Sequence, residues 1–126
     1  MIVAGVGCKK DVTVAEVLAA IETALEAHGL TPAALSLLAT ARMKGSEAGI
    51  IAAGSQLNLP VILVDDAVLR EMSVLSHSDK SLAVAGTPSV SEGAALAAAG
   101  EGARLAGPRT AVGPVTCAIA FGGDDA

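Results

Sequence analysis

The first ten residues constrain the fold more than any other stretch. Ile2-Val3-Ala4-Gly5-Val6 is an apolar, strand-forming run that continues into Gly7, Cys8, Lys9 and Lys10, and by Val14 the pattern has become helical. A strand that stops at a helix entrance builds a βα unit, and in open α/β sheets ligands bind at the carboxyl ends of such strands. Gly5 and Gly7 let backbone come close to whatever lies there, and the two lysines put positive charge beside it. The stretch therefore reads as one wall of a site for an anionic small molecule. Taken alone, it also fits a tight βα turn with solvated lysines.

The alternation of short apolar runs with helical periodicity continues along the chain. Thr13 and Glu16 have the spacing of a capping box, and Val17, Leu18, Ile21, Ala24 and Leu25 mark a helix over 14–28 closed by Gly29. Thr31-Pro32 opens a short helical turn, and 35–39 reads as a second strand. Residues 40–47 form a polar interruption. A helix over 47–58 follows, carrying Ile50, Ile51 and Leu57. Then come a strand over 60–64 and a helix from Asp65-Asp66 to about Leu75. Residues 76–86 are polar and irregular. Ser89 and Glu92 suggest a second capping box, opening an Ala-rich helix that ends at Gly100 and Gly102. Strands over 103–112 and 115–121 form a final hairpin around Gly113-Pro114, and residues 122–126 read as a tail.

This order predicts one domain over 1–126. It should be a three-layer α/β/α structure with a mixed, mostly parallel sheet, right-handed crossovers and a C-terminal β-hairpin. With 52% hydrophobic residues and a single aromatic, Phe121, its core must be aliphatic. The lack of Trp and Tyr and the net charge of −5 argue against nucleic acid, whose binders use stacking faces and basic patches. No apolar run is long enough to span a bilayer, and no basic n-region precedes the first one, so no membrane partner and a cytoplasmic location are expected. Two cysteines, Cys8 and Cys117, and two histidines, His28 and His77, give neither a disulfide framework nor metal-ligand spacing. His28 suits a helix C-terminus, and His77 reads as solvated. No metal and no cofactor are expected.

No phosphate loop, dinucleotide fingerprint or serine elbow is present. What recurs is polarity in the loops that follow strands: Lys9 and Lys10 after the first, Arg42, Lys44 and Glu47 after the second, and Ser89 and Glu92 at another helix entrance. In a parallel sheet these loops share one edge. Four of the eight cations would gather there on an acidic chain, and a molecule with several carboxylates would suit that rim. Ordinary solvated loops and helix caps would leave the same pattern.

Four runs in order carry a family resemblance. They are Gly5-Val6-Gly7-Cys8-Lys9-Lys10; Thr40 through Lys44, with Glu47 and Gly49; Pro88-Ser89-Val90 with Glu92, Ala94, Ala95 and Leu96; and Val115-Thr116 with Ala118-Ile119-Ala120. Together they resemble the C-terminal domain of the cobalamin biosynthesis protein CbiG, also found as the stand-alone CobE, over essentially the whole chain. The family usually has a basic residue before the last hairpin strand, and Arg109 takes that place. The resemblance implies a role in vitamin B12 synthesis with a precorrin or corrin intermediate, or other pathway enzymes, as partner. Full-length CbiG opens a cobalt-precorrin lactone and has an additional N-terminal region; this chain is similar only to the C-terminal part, so that activity is not carried over.

Precorrins are tetrapyrroles rich in acetate and propionate groups. On this view Lys9, Lys10, Arg42, Lys44 and Arg109 pair with carboxylates, and Ser89 and Thr116 give neutral hydrogen bonds. Gly5, Gly7 and Cys8 line the wall, and Glu47 or Glu92 supplies any acid/base function. Two alternatives are a lactone-hydrolase type of activity with Cys8 as nucleophile, which lacks a histidine placed as its base, and a non-catalytic partner-binding domain.

Overall fold

The computed structural model describes residues 1–9, 11–42, 47–69, 90–100 and 102–122. Strand β1, Ile2–Cys8, lies at the centre of a six-stranded sheet. On one side it pairs in parallel with β2, Leu37–Ala41, which pairs in parallel with β3, Val61–Val64. On the other side it runs antiparallel to β6, Val115–Phe121, from Ile2 opposite Phe121 to Cys8 opposite Val115. The outer side of β6 carries β4, Arg104–Leu105, and then β5, Thr110–Val112. Strands paired on both sides and covered on both faces tend to be apolar, and β1 and β6 are so except for Thr116.

Helices α1, Val14–Ala27, and α2, Ala48–Leu57, cover one face of the sheet. The capping box starts α1: Thr13 Oγ1 accepts from the Glu16 N–H at 3.1 Å, and the Thr13 N–H donates to Glu16 Oε1 at 2.9 Å. His28 is the C-cap of α1, and Gly29 follows at φ +69°, the left-handed conformation that glycine adopts without strain. Helix α3, Val90–Ala99, covers the other face. Alternation along the strands sorts the core between the two. Ala4, Val6, Leu38, Cys117 and Ile119 face α1 and α2, and Val3, Ala39, Ala118 and Ala120 face α3. The three-layer architecture and its mixed sheet are as expected.

Two strand boundaries differ from expectation. The second strand is Leu37–Ala41 rather than 35–39, so Thr40 lies inside it and not in a polar interruption. Thr40 is fully buried because its hydroxyl donates to the Val6 carbonyl at 2.7 Å, which removes the cost of burying a polar side chain. Leu35 is buried against the core from the turn after the short 3-10 segment Pro32–Ala34. The expected strand over 103–112 is two pieces, β4 and β5, on the same edge of β6. Between them Gly107 and Pro108 bend the chain, and proline cannot donate to a ladder. The hairpin around Gly113-Pro114 is β5–β6. The start of the helix after Asp65 is described over 66–69. Its remainder, the polar segment 76–86, His77, the second capping box at Ser89, Lys10, Lys44 and the tail beyond Gly122 lie outside the described residues.

Candidate functional site

The carboxyl ends of β1, β2 and β3 meet the β5–β6 hairpin and the helix entrances at one edge of the sheet. After β1, the Lys9 N–H donates to the Pro114 carbonyl at 3.1 Å, which ties the outgoing loop to the hairpin. Asp11 takes a left-handed φ of 60°, and its N–H donates to Glu47 Oε2 at 3.2 Å. Glu47 is the N-cap of α2, so its carboxylate joins the β1–α1 loop to the next helix entrance. At Gly49 a side chain would come within 2.5 Å of the Val12 carbonyl, so the loop and α2 pack at backbone distance there.

Arg42, directly after β2, forms an ion pair with Asp65, directly after β3. Both side chains are more than half exposed (63% and 56%), so the pair contributes little to stability. Parallel register brings these two positions together, with Ala41 opposite Val64. Asp65 was not singled out from the sequence beyond opening a helix. The usable signal is its place one residue past the third expected strand, on the edge to which parallel strands send their following loops.

The N-terminus of α3 completes the edge. A Cβ built on Gly5 runs into the Ser91 carbonyl and reaches 2.7 Å from Ala95 N; at Gly7 it would sit 3.7 Å from Val90 Cβ. Two glycines on one face of β1 therefore let α3 lie against the strand, with its first turn over Gly7. Thr116, opposite Gly7 on β6, donates its hydroxyl to the Gly7 carbonyl at 3.3 Å. Glu92, in that first turn, is nearly buried, and its Oε1 lies 3.6 Å from Arg109 NH1. Arg109 precedes β5 and is half-exposed.

Gly5, Gly7, Thr116, Glu92 and Arg109 are thus brought together on the α3 side of the edge, and Lys9, Arg42 and Glu47 lie along its other loops. Cys8 points to the opposite face, half-buried against the α1–α2 core. Lys10, Lys44 and Ser89 lie outside the described residues. Of the four cations among the described residues, Lys9 and Arg42 follow strands at this edge, and Arg109 stands before β5, beside Glu92 of α3. Arg104 is at the other end of the sheet, over the Phe121 ring at 5.6 Å. The second thiol, Cys117, is buried under α1 and α2, and burial pushes it up to about 12. Among the described residues no group of three His, Cys, Asp or Glu could hold a metal ion. No helix among them is long and apolar enough to cross a membrane.

The fold and this edge define a small α/β domain whose polar rim joins three loops, a hairpin and a helix N-terminus. Residues 2–120 match the family described as Cobalamin synthesis G C-terminus. Protein CobE from Sinorhizobium sp is 35% identical over 121 residues, which is 94% of this chain and 79% of that protein. The crystal structure of cobalamin biosynthesis protein chiG from Agrobacterium tumefaciens str. C58 superposes with a TM-score of 0.81 at 43% identity, over 96% of this chain and 98% of that one. That of CobE, described as a protein from the cobalamin (vitamin B12) biosynthetic pathway, gives 0.81 at 29% identity, over 95% and 89%. The chain belongs to the Cobalamin synthesis G C-terminus family and is a cobalamin biosynthesis protein, as the four sequence runs suggested.

Proposed function

We propose that this protein binds a carboxylate-rich precorrin or corrin intermediate at the carboxyl edge of its sheet. What supports the reading is that Lys9 and Arg42 directly follow β1 and β2, and that Arg109 faces Glu92 in the first turn of α3, on a chain of net charge −5. Cations favour carboxylates through charge-assisted hydrogen bonds. Lys10 and Lys44 extend the rim in sequence, and Ser89 and Thr116 add hydroxyls; Gly5 and Gly7, expected to line the ligand wall, are instead covered by α3 and seat that helix. The two acid/base candidates are both engaged: Glu47 accepts a backbone N–H, and Glu92 faces Arg109. Their surroundings favour binding and support of the rim over proton transfer. Cys8, on the other face, favours neither a nucleophile nor a ligand contact.

The test is a visible-absorbance titration with cobyrinic acid, a corrin with free acetate and propionate groups, beside an amidated corrin as control. A well-formed charge-assisted hydrogen bond contributes about 1.5–3 kcal/mol, so losing one should weaken binding about tenfold or more. Lys9→Ala and Lys44→Ala should do so, Arg104→Ala should not, and affinity should fall as salt rises. Equal binding by all variants, without salt dependence, removes the reading and leaves the glycine–lysine stretch a structural turn.

A further inference from the structure

Arg42 and Arg109 each face an acidic side chain, but the two partners are placed differently. Asp65, like Arg42, is more than half exposed, so solvent screens that pair. Glu92 is the reverse case, with its side chain 7% exposed against 48% for Arg109. A buried carboxylate needs compensation by a cation or hydrogen bonds.

Arg109 lies at the end of the bend between β4 and β5, where the pairing with β6 lapses. The bend is held from below: the Ala106 N–H donates to the Ile119 carbonyl at 2.8 Å, and a side chain at Gly107 would come within 2.8 Å of the His28 ring. At 3.6 Å the Glu92–Arg109 contact is longer than a good hydrogen bond, so it orients the guanidinium by charge more than by a bond. A guanidinium has five N–H donors in a planar fork, and a contact at NH1 leaves the others for a second carboxylate.

We propose that Glu92 is a positioning residue: its buried carboxylate, carried by the first turn of α3, holds Arg109 so that the guanidinium fork receives a carboxylate of the ligand. Glu92 itself does not touch the ligand. The inference rests on the corrin-binding reading and names the anchored cation in that site. It also gives α3 a task in recognition, since the close contact at Gly5 fixes the depth at which Glu92 stands.

The experiment is a double-mutant cycle on cobyrinic acid affinity with wild type, Glu92→Gln, Arg109→Ala and the double variant, each checked for cooperative unfolding. Arg109→Ala should weaken binding about tenfold or more, as expected for a charge-assisted contact. Glu92→Gln should weaken it severalfold in wild type and by less than about twofold once Arg109 is gone, because Glu92 acts through that residue. Arg109→Lys should recover only part of the loss, since it keeps the charge and loses the fork. If Glu92→Gln does not fold, Glu92→Asp, which retracts the carboxylate, replaces it in the same cycle. An equal penalty in both backgrounds, or tighter binding by Glu92→Gln, overturns the inference. If Arg109→Ala binds like wild type while Lys9→Ala is weak, the anchored-cation inference fails and the corrin reading stands. If wild type does not bind the probe, the corrin reading fails and the inference goes with it.

Discussion

On the face covered by α1 and α2, the central strands present Ala4, Val6, Leu38, Cys117 and Ile119, and α1 answers with Val17, Ile21 and Leu25. On the α3 face the same strands present Val3, Gly5, Ala39, Ala118 and Ala120, and the helix answers with Ala94, Ala95 and Ala99. The first face is a conventional aliphatic core in which bulk supplies the stability, since buried apolar area is the main favourable term. The second buries little volume per residue. What it achieves is proximity, because small residues on both sides bring helix backbone onto strand backbone. The arrangement of the candidate site is the consequence, for that contact carries the first turn of α3, with Glu92, over Gly7 and beside Arg109.

The largest effect expected from this contrast is at Gly5. Ordinary overpacking costs roughly 1–3 kcal/mol, but here the clash is with backbone, which no side-chain rotation relieves. Gly5→Val should therefore prevent cooperative folding or displace α3, lowering the urea midpoint by more than any cavity variant. A cooperative, wild-type-like transition would show that α3 does not depend on contact with β1.

Bulk removed from the other face comes next. Ile21, fully buried in α1, should cost about 2–5 kcal/mol when replaced by Ala, the range for a core methyl-group deletion plus its cavity. Cobyrinic acid affinity of the folded Ile21→Ala protein should stay near wild type, because Ile21 packs in the core on the face of the sheet opposite α3 and Glu92. A loss of affinity matching the loss of stability would erase the distinction between the faces.

A smaller effect is expected at Thr40, whose hydroxyl joins β2 to the Val6 carbonyl inside the core. Thr40→Val keeps the shape and removes the donor. It should cost about 1–3 kcal/mol by equilibrium denaturation, as for a buried polar group losing its partner.

Cys117 has the smallest effect at neutral pH and a distinct signature above it. Burial under α1 and α2 raises its thiol from 9.0 to about 12, so the folded state keeps a proton that the unfolded chain releases. Stability is therefore independent of this group below about pH 9 and falls as the pH rises from there toward about 12. Cys117→Ala should flatten that alkaline decline in urea midpoints. A thiol reagent should label Cys8 in the native protein and reach Cys117 only on unfolding. Labelling of both at the same rate would mean that this face opens readily.

The legible parts of the fold were those governed by neighbours in sequence. The Thr13–Glu16 capping box, the helix that Gly29 closes and the Gly113-Pro114 turn depend on a few adjacent residues, and each is found where the pattern put it. Thr40 misled because its polarity suggests a loop, whereas its partner, the Val6 carbonyl, is 34 residues away. The break between β4 and β5 was present in Gly107-Pro108 but was outweighed by the apolar residues around it. At the rim, cations after strands were readable, because parallel strands send their following loops to one edge. Their partners were not: Asp65 reaches Arg42 through the register of β2 and β3, and Glu92 reaches Arg109 across the helix–sheet interface.

Sequence alone determined the alternation of strand and helix, the aliphatic character of the core and the family, because periodicity, composition and ordered motifs are properties of the chain. It also placed glycines at the end of the first strand. Which side of the strand they open was decided only by tertiary structure. Gly5 and Gly7 share a face by the two-residue period of a strand, but α3 lies on that face because β6 and β2 flank β1 and the large residues of α1 and α2 occupy the other. The same packing sends Cys8 away from the rim and sets a buried Glu92 against an exposed Arg109, since a side chain's exposure depends on what is stacked above it, and those contacts come from distant parts of the chain.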